Sequence, residues 1–450
     1  MQRMRVLLLS TYELGHQPLH LAVPAARLEA DGHAVEVIDL AVEALDWQTV
    51  ERADAVAVSV PMHTAMILAV DVVRRIRAHR PDLPVAFYGL YATLGIDPTV
   101  DRVVHRVISG EYVEPLSEWI AELSTGMAEP GRSVVRIGKP PTAVPQRSSL
   151  PALDRYAHLK VGDEHRLVGY VEATQGCGHT CRHCPVPAVY GGRFRAVDIE
   201  SIRADVDQLV GMGARHVTFG DPDFLNGPAH AERVLVALRG DHSDLTFDVT
   251  VKVEHVLAHA DIWERMAAHG VLFVVSAYES VDDRTLQLMD KGHTAADLGP
   301  ATMMLRSAGI DVRPSLLPFT PWTELDHLPA LFSFLSEFDL LGSIDPIQLA
   351  IRLLIPKGSL MLDLPETRES VTGYRPESLS YQWESADPRL DPLQLRLSEI
   401  AEWGADRDDH STTLLEQWGA VVDVTASKLA MAIPTGAVAG RPRLTEPWFC

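Results

Sequence analysis

The residues with the clearest chemical potential are three cysteines in the segment QGCGHTCRHCP, namely Cys177, Cys181 and Cys184. Glycines within this segment and the proline that ends it favour a loop that wraps around an ion or cluster. Thiolates are typical ligands of zinc and of iron–sulfur clusters. An ordinary cluster takes four cysteines, so three would leave one iron with an open position. A structural zinc site completed by His179 or His183 stays an alternative interpretation.

The composition is that of a folded globular protein. The chain has 450 residues, of which 46% are hydrophobic, and 40 basic against 61 acidic residues give a net charge of −21. This length indicates about three domains, or two with a large barrel. The acidic balance disfavours sequence-independent binding of nucleic acid, which depends on Lys and Arg. Four cysteines, one of them the terminal Cys450, are far fewer than a secreted disulfide scaffold carries.

The N-terminal segment MQRMRVLLLS contains an apolar stretch that is too short for a signal peptide, and no apolar run reaches the length of a membrane span. We therefore expect a soluble cytoplasmic protein that binds neither membranes nor nucleic acid.

Residues 1–125 alternate short apolar runs with segments of helical spacing. This alternation predicts βαβ units, and hence an α/β domain with a doubly wound parallel sheet. The predicted strands are Arg5–Ser10, His33–Leu40, Ala53–Val60, Leu83–Tyr88 and Arg102–Ser109. The predicted helices are Leu19–Ala30, Thr64–His79 and Leu116–Leu123.

Ligands of such sheets bind beyond the carboxyl ends of the strands. The segments predicted there are rich in small polar residues and glycine, which suits close approach of a ligand, although turn formation alone also accounts for each residue. The candidate binding residues are Ser10, Ser59, Thr64, Gly89, Gly110 and Glu111.

A Gly- and Pro-rich stretch at 126–160 predicts a linker, after which the alternation resumes. Residues 161–350 predict a partial or full β/α barrel, in which chemistry occurs at the carboxyl ends of the strands. Residues 351–450 form a C-terminal extension with no predicted fold beyond a helical stretch near Leu393–Trp403. The predicted barrel strands are Leu167–Ala173, His216–Phe219, Thr246–Val251, Leu272–Ser276, Ile310–Leu316 and Ile344–Leu349.

The cysteine segment directly follows the first barrel strand, and its spacing resembles the CxxxCxxC signature of radical S-adenosylmethionine (SAM) enzymes. The resemblance implies a [4Fe–4S] cluster on Cys177, Cys181 and Cys184 whose open iron binds the amino and carboxylate groups of SAM. It also implies reductive cleavage of SAM to a 5′-deoxyadenosyl radical. Members of this superfamily usually carry an aromatic residue immediately before the third cysteine, where this chain has His183, whose imidazole can stack on adenine.

Further segments resemble the same superfamily and imply SAM contacts. After strand two, Gly220, Asp221 and Asp223 would accept hydrogen bonds from the SAM amino group, although a helix-capping turn explains them equally well. After strand three, Lys252 would pair with the carboxylate, or else form a solvated pair with Glu254.

Strand four ends in SAYES, and KGHT follows further along the chain, which resembles a pattern common in cobalamin-type radical SAM proteins. The resemblance implies that Ser276 and Glu279 face the ribose or the methionine part of SAM. Arg313 is a further SAM candidate on strand five. The segment Pro318–Thr323 replaces the usual glycine-rich motif, which leaves the adenine contacts open.

A parallel-sheet domain joined to such a barrel resembles the cobalamin-binding radical SAM architecture, with Ser59–Thr64, Tyr88–Leu94 and Ser109–Glu114 similar to its cofactor loops. The DxHxxG motif that supplies a histidine to cobalt is missing. This resemblance implies cobalamin-dependent methylation of an unactivated carbon in a small-molecule or peptide substrate, with ferredoxin or flavodoxin as electron donor. The alternatives are a radical rearrangement or ring contraction without methyl transfer, and a non-catalytic zinc or iron–sulfur redox protein.

The C-terminal sequence RLTEPWFC resembles that of the CUAEP/CCAEP-tail radical SAM family, whose chains end in a Cys-Cys or Cys-selenocysteine pair followed by Ala-Glu-Pro. We expect that the gene continues through a UGA codon, which would make the protein a selenoprotein. Cys450 would then be one half of a redox-active pair that acts in catalysis.

Overall fold

The computed structural model describes residues 2–94, 104–129, 131–139, 143–405 and 441–446. The protein is α/β, as predicted, with one parallel sheet in the N-terminal part and a second, curled sheet in the middle of the chain. Within the described residues, no helix has both the length and the apolar composition that a membrane span needs.

The N-terminal sheet consists of six parallel strands in the order β2-β1-β3-β4-β5-β6. Helices cover both of its faces and enclose two separate apolar cores, so the inner strands are buried almost throughout. The strands are β1 Arg5–Ser10, β2 Ala34–Asp39, β3 Ala55–Ser59, β4 Val85–Tyr88, β5 Arg106–Gly110 and β6 Arg132–Arg136. The helices are α1 Leu19–Ala30, α2 Trp47–Arg52, α3 His63–His79 and α4 Val113–Thr125.

Strand β6 lies inside the segment predicted as a linker, and it pairs with β5 in parallel. The linker prediction was therefore wrong at these positions. As an edge strand of five residues, β6 leaves Val135 54% exposed and has no continuous apolar run to distinguish it from a loop. The predicted strand Arg102–Ser109 begins outside the described residues, and β5 spans Arg106–Gly110.

The second sheet is a curled partial barrel in the order β14-β13-β12-β11-β8-β7-β18. Strand β8 and strands β11 to β14 are parallel, whereas β7 and β18 are antiparallel additions at one edge. A small ladder of β9 and β10 follows β8. The strands are β7 His158–Val161, β8 Glu164–Val171, β9 Thr174–Gly176, β10 Phe194–Ala196, β11 His216–Phe219, β12 Thr246–Thr250, β13 Val271–Glu279, β14 Asp311–Leu316 and β18 Arg443–Leu444.

Eight helices of this region follow the strands, and many of their apolar residues share one large core with the sheet. They are α5 Pro185–Tyr190, α6 Ile199–Gly211, α7 Pro228–Asp241, α8 Val253–Ala258, α9 Trp263–Ala268, α10 Asp283–Leu288, α11 Ala295–Ser307 and α12 His327–Glu337.

The sixth predicted barrel strand, Ile344–Leu349, was wrong, because Pro346–Leu349 forms a 3₁₀ turn. Pro346 has no N–H group to donate to a sheet, and it stands at the first position of the turn, where none is needed. The side chain of Gln348 instead accepts a hydrogen bond from the Leu316 N–H at 3.0 Å. The parallel part of the barrel therefore ends at five strands.

The C-terminal extension has its own three-stranded antiparallel sheet, in the order β15-β17-β16. Helix α14 confirms the helical stretch predicted near Leu393–Trp403. The elements are β15 Ile355–Pro356, α13 Pro365–Ser370, β16 Val371–Arg375, β17 Ser380–Trp383 and α14 Leu390–Ala405. The tail then adds β18 to β7, and the Thr445 hydroxyl accepts a hydrogen bond from the His158 N–H at 2.8 Å.

Arg147 joins the two sheets and is completely buried. Its guanidinium donates two hydrogen bonds of 2.8 Å to Asp205 on α6 and one of 2.7 Å to the Tyr170 carbonyl on β8. It also lies 3.3 Å from the Gln17 side-chain oxygen, in the β1–α1 loop. One side chain thus satisfies polar groups from both parts of the molecule.

Replacement of Arg147 by Met will destabilise the protein strongly, because it leaves the Asp205 carboxylate buried without its counter-charge. Loss of one partner of a buried pair costs about 3–5 kcal/mol. Thermal denaturation measures the effect, with Arg155→Met as control, since Arg155 lies in the same segment with 48% of its side chain exposed. Equal melting temperatures of the two variants would contradict this role of Arg147.

Candidate active site

The cysteine loop begins after β9, at the carboxyl end of β8. Cys177 and Cys181 are buried and Cys184 is half-buried, and all three are free thiols. The Cys184 N–H donates to the Cys181 carbonyl at 3.2 Å, and Pro185 begins α5 directly afterwards. The chain therefore turns tightly between the last two cysteines.

Hydrogen bonds from two neighbouring elements hold this loop. The Gly178 N–H donates to the Asn226 side chain at 2.8 Å, and the Thr180 hydroxyl donates to Asp290 at 2.8 Å. Arg182 donates from its backbone to the Met289 carbonyl at 2.9 Å and from its side chain to the Leu288 carbonyl at 2.8 Å. The loop is thus tied to the segment after β11 and to the end of α10.

The three sulfur atoms do not form a group as compact as one zinc ion would need. Two groups of three His, Cys, Asp or Glu side chains in the described residues place their ligand atoms within 4.8 Å of one another, and the cysteines form neither. A zinc ion binds sulfur at about 2.3 Å and would hold three thiolates closer than that. His179 and His183 are moreover bonded to carboxylates, which argues against the Cys₃His zinc alternative.

Burial raises the pKa of the Cys177 thiol to about 11 and that of Cys184 to about 12. Ligation requires thiolates, so cluster binding must displace these protons. The ammonium group of Lys291 lies near Cys181 and Cys184 and offsets part of this cost.

Glu279 ends β13 in the left-handed region, with φ of 61°, which is uncommon for any residue except glycine. Its carboxylate lies 3.0 Å from the Lys291 Nζ atom and 3.3 Å from the His183 Nε2 atom. Burial opposes its ionisation, but the charges of Lys291 and His183 hold the pKa of Glu279 well below its usual range. The structure thus brings Glu279 and His183 together beside the cysteine loop.

His293, which follows Lys291 in the KGHT segment, is buried beside this pair. Its ring lies close to the Tyr278 backbone, but neither ring nitrogen makes a hydrogen bond of good geometry within the described residues. Burial and the Lys291 charge lower the pKa of His293 to about 4, so the ring is neutral at pH 7. Ser276 is also buried, but its hydroxyl donates to the Val251 carbonyl at 2.8 Å, within the sheet.

Two of the predicted SAM-binding residues in the segment after β11, Gly220 and Asp221, have structural roles. Gly220 is required because a side chain there would collide with the Tyr170 ring, whose hydroxyl would lie 1.9 Å from the added carbon. Asp221 accepts hydrogen bonds from the Ala173 N–H at 2.8 Å and the Thr174 hydroxyl at 2.6 Å. Burial raises the pKa of Asp221 to about 7.

Asp223 is completely buried, and two imidazoles face one of its oxygens. The Oδ2 atom lies 3.2 Å from His179 Nε2 and 3.0 Å from His255 Nδ1. Lys252 is buried nearby, with its Nζ atom 3.2 Å from His179 Nδ1 and 3.2 Å from a Glu254 oxygen. His255 was missed because a histidine on a short helix carries no signal by itself; its position just after β12 was the only indication.

Arg313 is placed apart from these groups. It pairs with Asp345 at 3.2 Å and lines an open cavity next to the tail strand, which Glu446 also lines. Glu446 accepts a hydrogen bond from the Tyr12 hydroxyl at 3.0 Å, so the tail reaches the β1–α1 loop. Cys450 lies outside the described residues.

The six residues predicted at the N-terminal sheet lie at its carboxyl edge, where five are buried or backbone-packed and Thr64 is exposed. A side chain at Gly110 would lie 2.1 Å from the Arg136 carbonyl, and one at Gly89 would press on the Val60 carbonyl at 3.1 Å. Glu111 accepts the Val113 N–H at 2.8 Å, which begins α4. These contacts account for Gly89, Gly110 and Glu111 through packing and helix capping. The role of the six residues in cofactor binding stays a prediction.

An ion network crosses from this edge to the barrel. His20 Nδ1 lies 3.0 Å from Glu13, and Nε2 lies 3.7 Å from Glu172, the residue after β8. The Ser59 hydroxyl donates to Glu13 at 3.4 Å. Burial opposes protonation of His20, but the two carboxylates outweigh it and raise the pKa of His20 to about 9.

The comparisons with known proteins agree with this geometry. Residues 171–332 match the Radical SAM superfamily. Among curated proteins, the hopanoid C-2 methylase of Rhodopseudomonas palustris is 27% identical over 280 residues, 61% of this chain and 51% of that protein. A tRNA-2-methylthio-N(6)-dimethylallyladenosine synthase of Alteromonas mediterranea is 23% identical over 50% of this chain and 46% of that protein. The chain thus spans about half the length of these curated relatives.

Two solved structures share the fold across both sheets. The cobalamin-dependent S-adenosylmethionine radical enzyme OxsB, with aqua-cobalamin bound, matches 90% of this chain and 67% of its own with a TM-score of 0.68 and 13% identity. The radical S-adenosylmethionine methyltransferase TsrM from Kitasatospora setae, with cobalamin and a [4Fe-4S] cluster bound, matches 75% of this chain and 71% of its own with a TM-score of 0.56 and 19% identity.

Replacement of His20 by Gln will destabilise the protein in a pH-dependent way. Because the folded-state pKa of about 9 exceeds the unfolded value near 6.5, the stabilisation is fully present below pH 6.5 and is lost as pH rises through 9. The melting temperature of the variant should lie furthest below wild type near pH 6 and converge towards it at pH 9. His165→Gln, at an exposed position, serves as the control; a pH-independent difference would refute the assignment.

Proposed function

The chain carries a radical SAM domain at residues 171–332, and from this premise we propose that it is a cobalamin-dependent methyltransferase acting on an unactivated carbon. Cys177, Cys181 and Cys184 would hold a [4Fe–4S] cluster. The substrate would be a small molecule or a peptide, and a ferredoxin or flavodoxin in the cytoplasm would supply electrons.

The observation that carries this proposal is the placement of three free thiols in one loop, which hydrogen bonds fix at the carboxyl end of a barrel strand. Three ligands leave one iron of a [4Fe–4S] cluster open, which is the requirement for binding SAM through its methionine end. The second candidate, a non-catalytic zinc protein, would need ligands around one ion, and the sulfur spacing disfavours it.

The groups beside the cysteines match the chemistry of SAM. SAM offers an ammonium, a carboxylate, a ribose and an adenine ring. Lys291 and Lys252 supply positive charge for the carboxylate, and Glu279 accepts hydrogen bonds from the ribose or the ammonium. The neutral ring of His293 provides a surface and a polar edge for the adenine. The cluster, when bound, supplies the electron that splits SAM into methionine and a 5′-deoxyadenosyl radical.

The carboxyl edge of the N-terminal sheet would hold cobalamin, which would supply the methyl group. Its donors and acceptors, including Ser59, Glu13 and His20, suit a cofactor surrounded by amide side chains. Gly89 and Gly110 keep the backbone close-packed at the same edge, and Glu172 connects it to the barrel. The folds of OxsB and TsrM, both solved with cobalamin, support this assignment.

Reductive cleavage of SAM tests the proposal directly. The reconstituted protein, given a low-potential reductant under anaerobic conditions, should convert SAM to 5′-deoxyadenosine and methionine, quantified by mass spectrometry. Cys181→Ala should lose the activity, since it removes a cluster ligand. Glu264→Gln, at an exposed position on α9, should retain it, because this change removes none of the three thiols.

Methyl transfer is tested in the same reaction after cobalamin has been added. Transfer of a methyl group from SAM to cobalt releases S-adenosylhomocysteine, so both this product and 5′-deoxyadenosine are expected. Formation of 5′-deoxyadenosine alone would reject methylation in favour of a rearrangement, and formation of neither product would reject the radical enzyme altogether.

Replacement of Glu279 by Gln will weaken SAM binding by roughly tenfold or more, because a hydrogen bond to a charged group contributes about 1.5–3 kcal/mol. Equilibrium dialysis with labelled SAM measures the dissociation constant. Glu264→Gln, at an exposed position on α9, is the matched control. An unchanged dissociation constant in Glu279→Gln would remove Glu279 from the SAM site.

A further inference from the structure

Beside the cysteine loop lies a second set of potential metal ligands, made of His179, Asp223 and His255. Their ligand atoms all lie within 4.8 Å of one another. We propose that these three side chains form a binding site for a divalent transition metal, separate from the cluster cysteines.

The distances suit a single ion. Asp223 Oδ2 lies 3.2 Å from His179 Nε2 and 3.0 Å from His255 Nδ1. An ion that binds nitrogen and oxygen at about 2.0–2.2 Å places neighbouring ligand atoms about 3 to 3.5 Å apart. The two imidazoles are also close, with ring centroids 4.4 Å apart. An ion between the three ligand atoms therefore needs only small side-chain shifts.

Three different elements supply the ligands, and the backbone fixes the central one. His179 belongs to the cysteine loop, Asp223 to the segment after β11, and His255 to α8 after β12. The Leu225 N–H donates to Asp223 Oδ1 at 2.9 Å, and the Lys252 N–H lies 3.3 Å from Oδ2. Such outer hydrogen bonds hold a carboxylate in the orientation that a metal needs.

Burial separates this set from ordinary surface acids. The Asp223 side chain is fully buried, and those of His179 and His255 are 14% and 20% exposed. The second group of three, at Glu324, Asp326 and His327, is mostly exposed and offers no comparable enclosure. The three ligand side chains are therefore largely enclosed by the protein.

Lys252 and Glu254 offer His179 different hydrogen-bond partners with and without an ion. Without an ion, Lys252 Nζ can donate to His179 Nδ1 while Nε2–H donates to Asp223, which gives a hydrogen-bonded chain. With an ion on Nε2, the proton resides on Nδ1 and needs an acceptor. Glu254 Oε2 lies 3.8 Å from Nδ1, and its side chain is 44% exposed.

The ligand set defines the class of metal. Two imidazoles and one carboxylate, without a thiolate, suit Zn²⁺ or Fe²⁺ and leave coordination positions open. The ion would tie the cysteine loop to the ends of β11 and β12, in addition to the hydrogen bonds that already hold it.

Zinc binding by the full-length protein with its cluster reconstituted tests the site. After treatment with a chelator, the protein is titrated with Zn²⁺ in competition with a chromophoric chelator. We expect one Zn²⁺ per chain in the wild type and at least tenfold weaker binding in His255→Gln. His242→Gln should bind like the wild type, since His242 forms an exposed pair with Asp207 at 2.7 Å and lies elsewhere.

Cobalt substitution identifies the ligands independently of any variant. Co²⁺ in the proposed site should give visible bands of nitrogen and oxygen coordination without thiolate charge-transfer bands. Cluster absorbance and melting temperature control for loss of fold, and Asp223→Asn provides a second variant of nearly the same shape. Absence of Zn²⁺ binding in the wild type, equal binding in His255→Gln and Asp223→Asn, or thiolate bands would each overturn the proposal.

Discussion

The placement of the three cysteines in one loop is the constraint on which the site depends. Thiolates near one another repel, and burial opposes the ionisation of Cys177 and Cys184, so the loop cannot rely on the sulfur atoms to set its own shape. The loop is instead hydrogen-bonded to Asn226, Asp290 and the end of α10. Because those partners follow different strands, the loop geometry is a property of the whole barrel edge.

Charge compensation follows from the same burial. Glu279 would be costly in the interior alone, and Lys291 and His183 together make its ionised form the stable one. Asp223 is arranged similarly between His179 and His255, with Lys252 and Glu254 outside them. Each cysteine-loop histidine thus meets a carboxylate from a neighbouring strand end, which positions the ring and keeps it from closing a zinc site with the cysteines.

The two sheets are coupled by polar groups as well as by apolar contacts, since Val189 packs into one core of the N-terminal sheet. Arg147 bonds to Asp205 and to the Tyr170 carbonyl, and His20 lies between Glu13 and Glu172. Both contacts connect the β1–α1 region to β8, the strand that carries the cysteine loop. The edge where a cofactor of the N-terminal sheet would bind is therefore connected to the cluster loop by only a few residues.

The sequence alone determined the two alternating α/β segments, because buried parallel strands need continuous apolar runs, and most of these strands lie within two residues of their predicted bounds. It also indicated the three cysteines as candidate ligands, since soft donors at fixed spacing after a strand have few other uses. The edge strands β6 and β18 and the turn at Pro346–Leu349 were decided only by pairing with distant segments.

The same holds for the charged groups. Asp221 accepts a hydrogen bond from the Ala173 backbone, 48 residues earlier in the chain. Arg313 pairs with Asp345, and His255 pairs with Asp223, each across 32 residues. The local sequence pattern carries no information about these contacts, because they form when the strand ends converge at one edge of the sheet. The tertiary structure therefore decided which side chains pair, whereas the sequence determined only that the chemistry lies at the carboxyl ends of the strands.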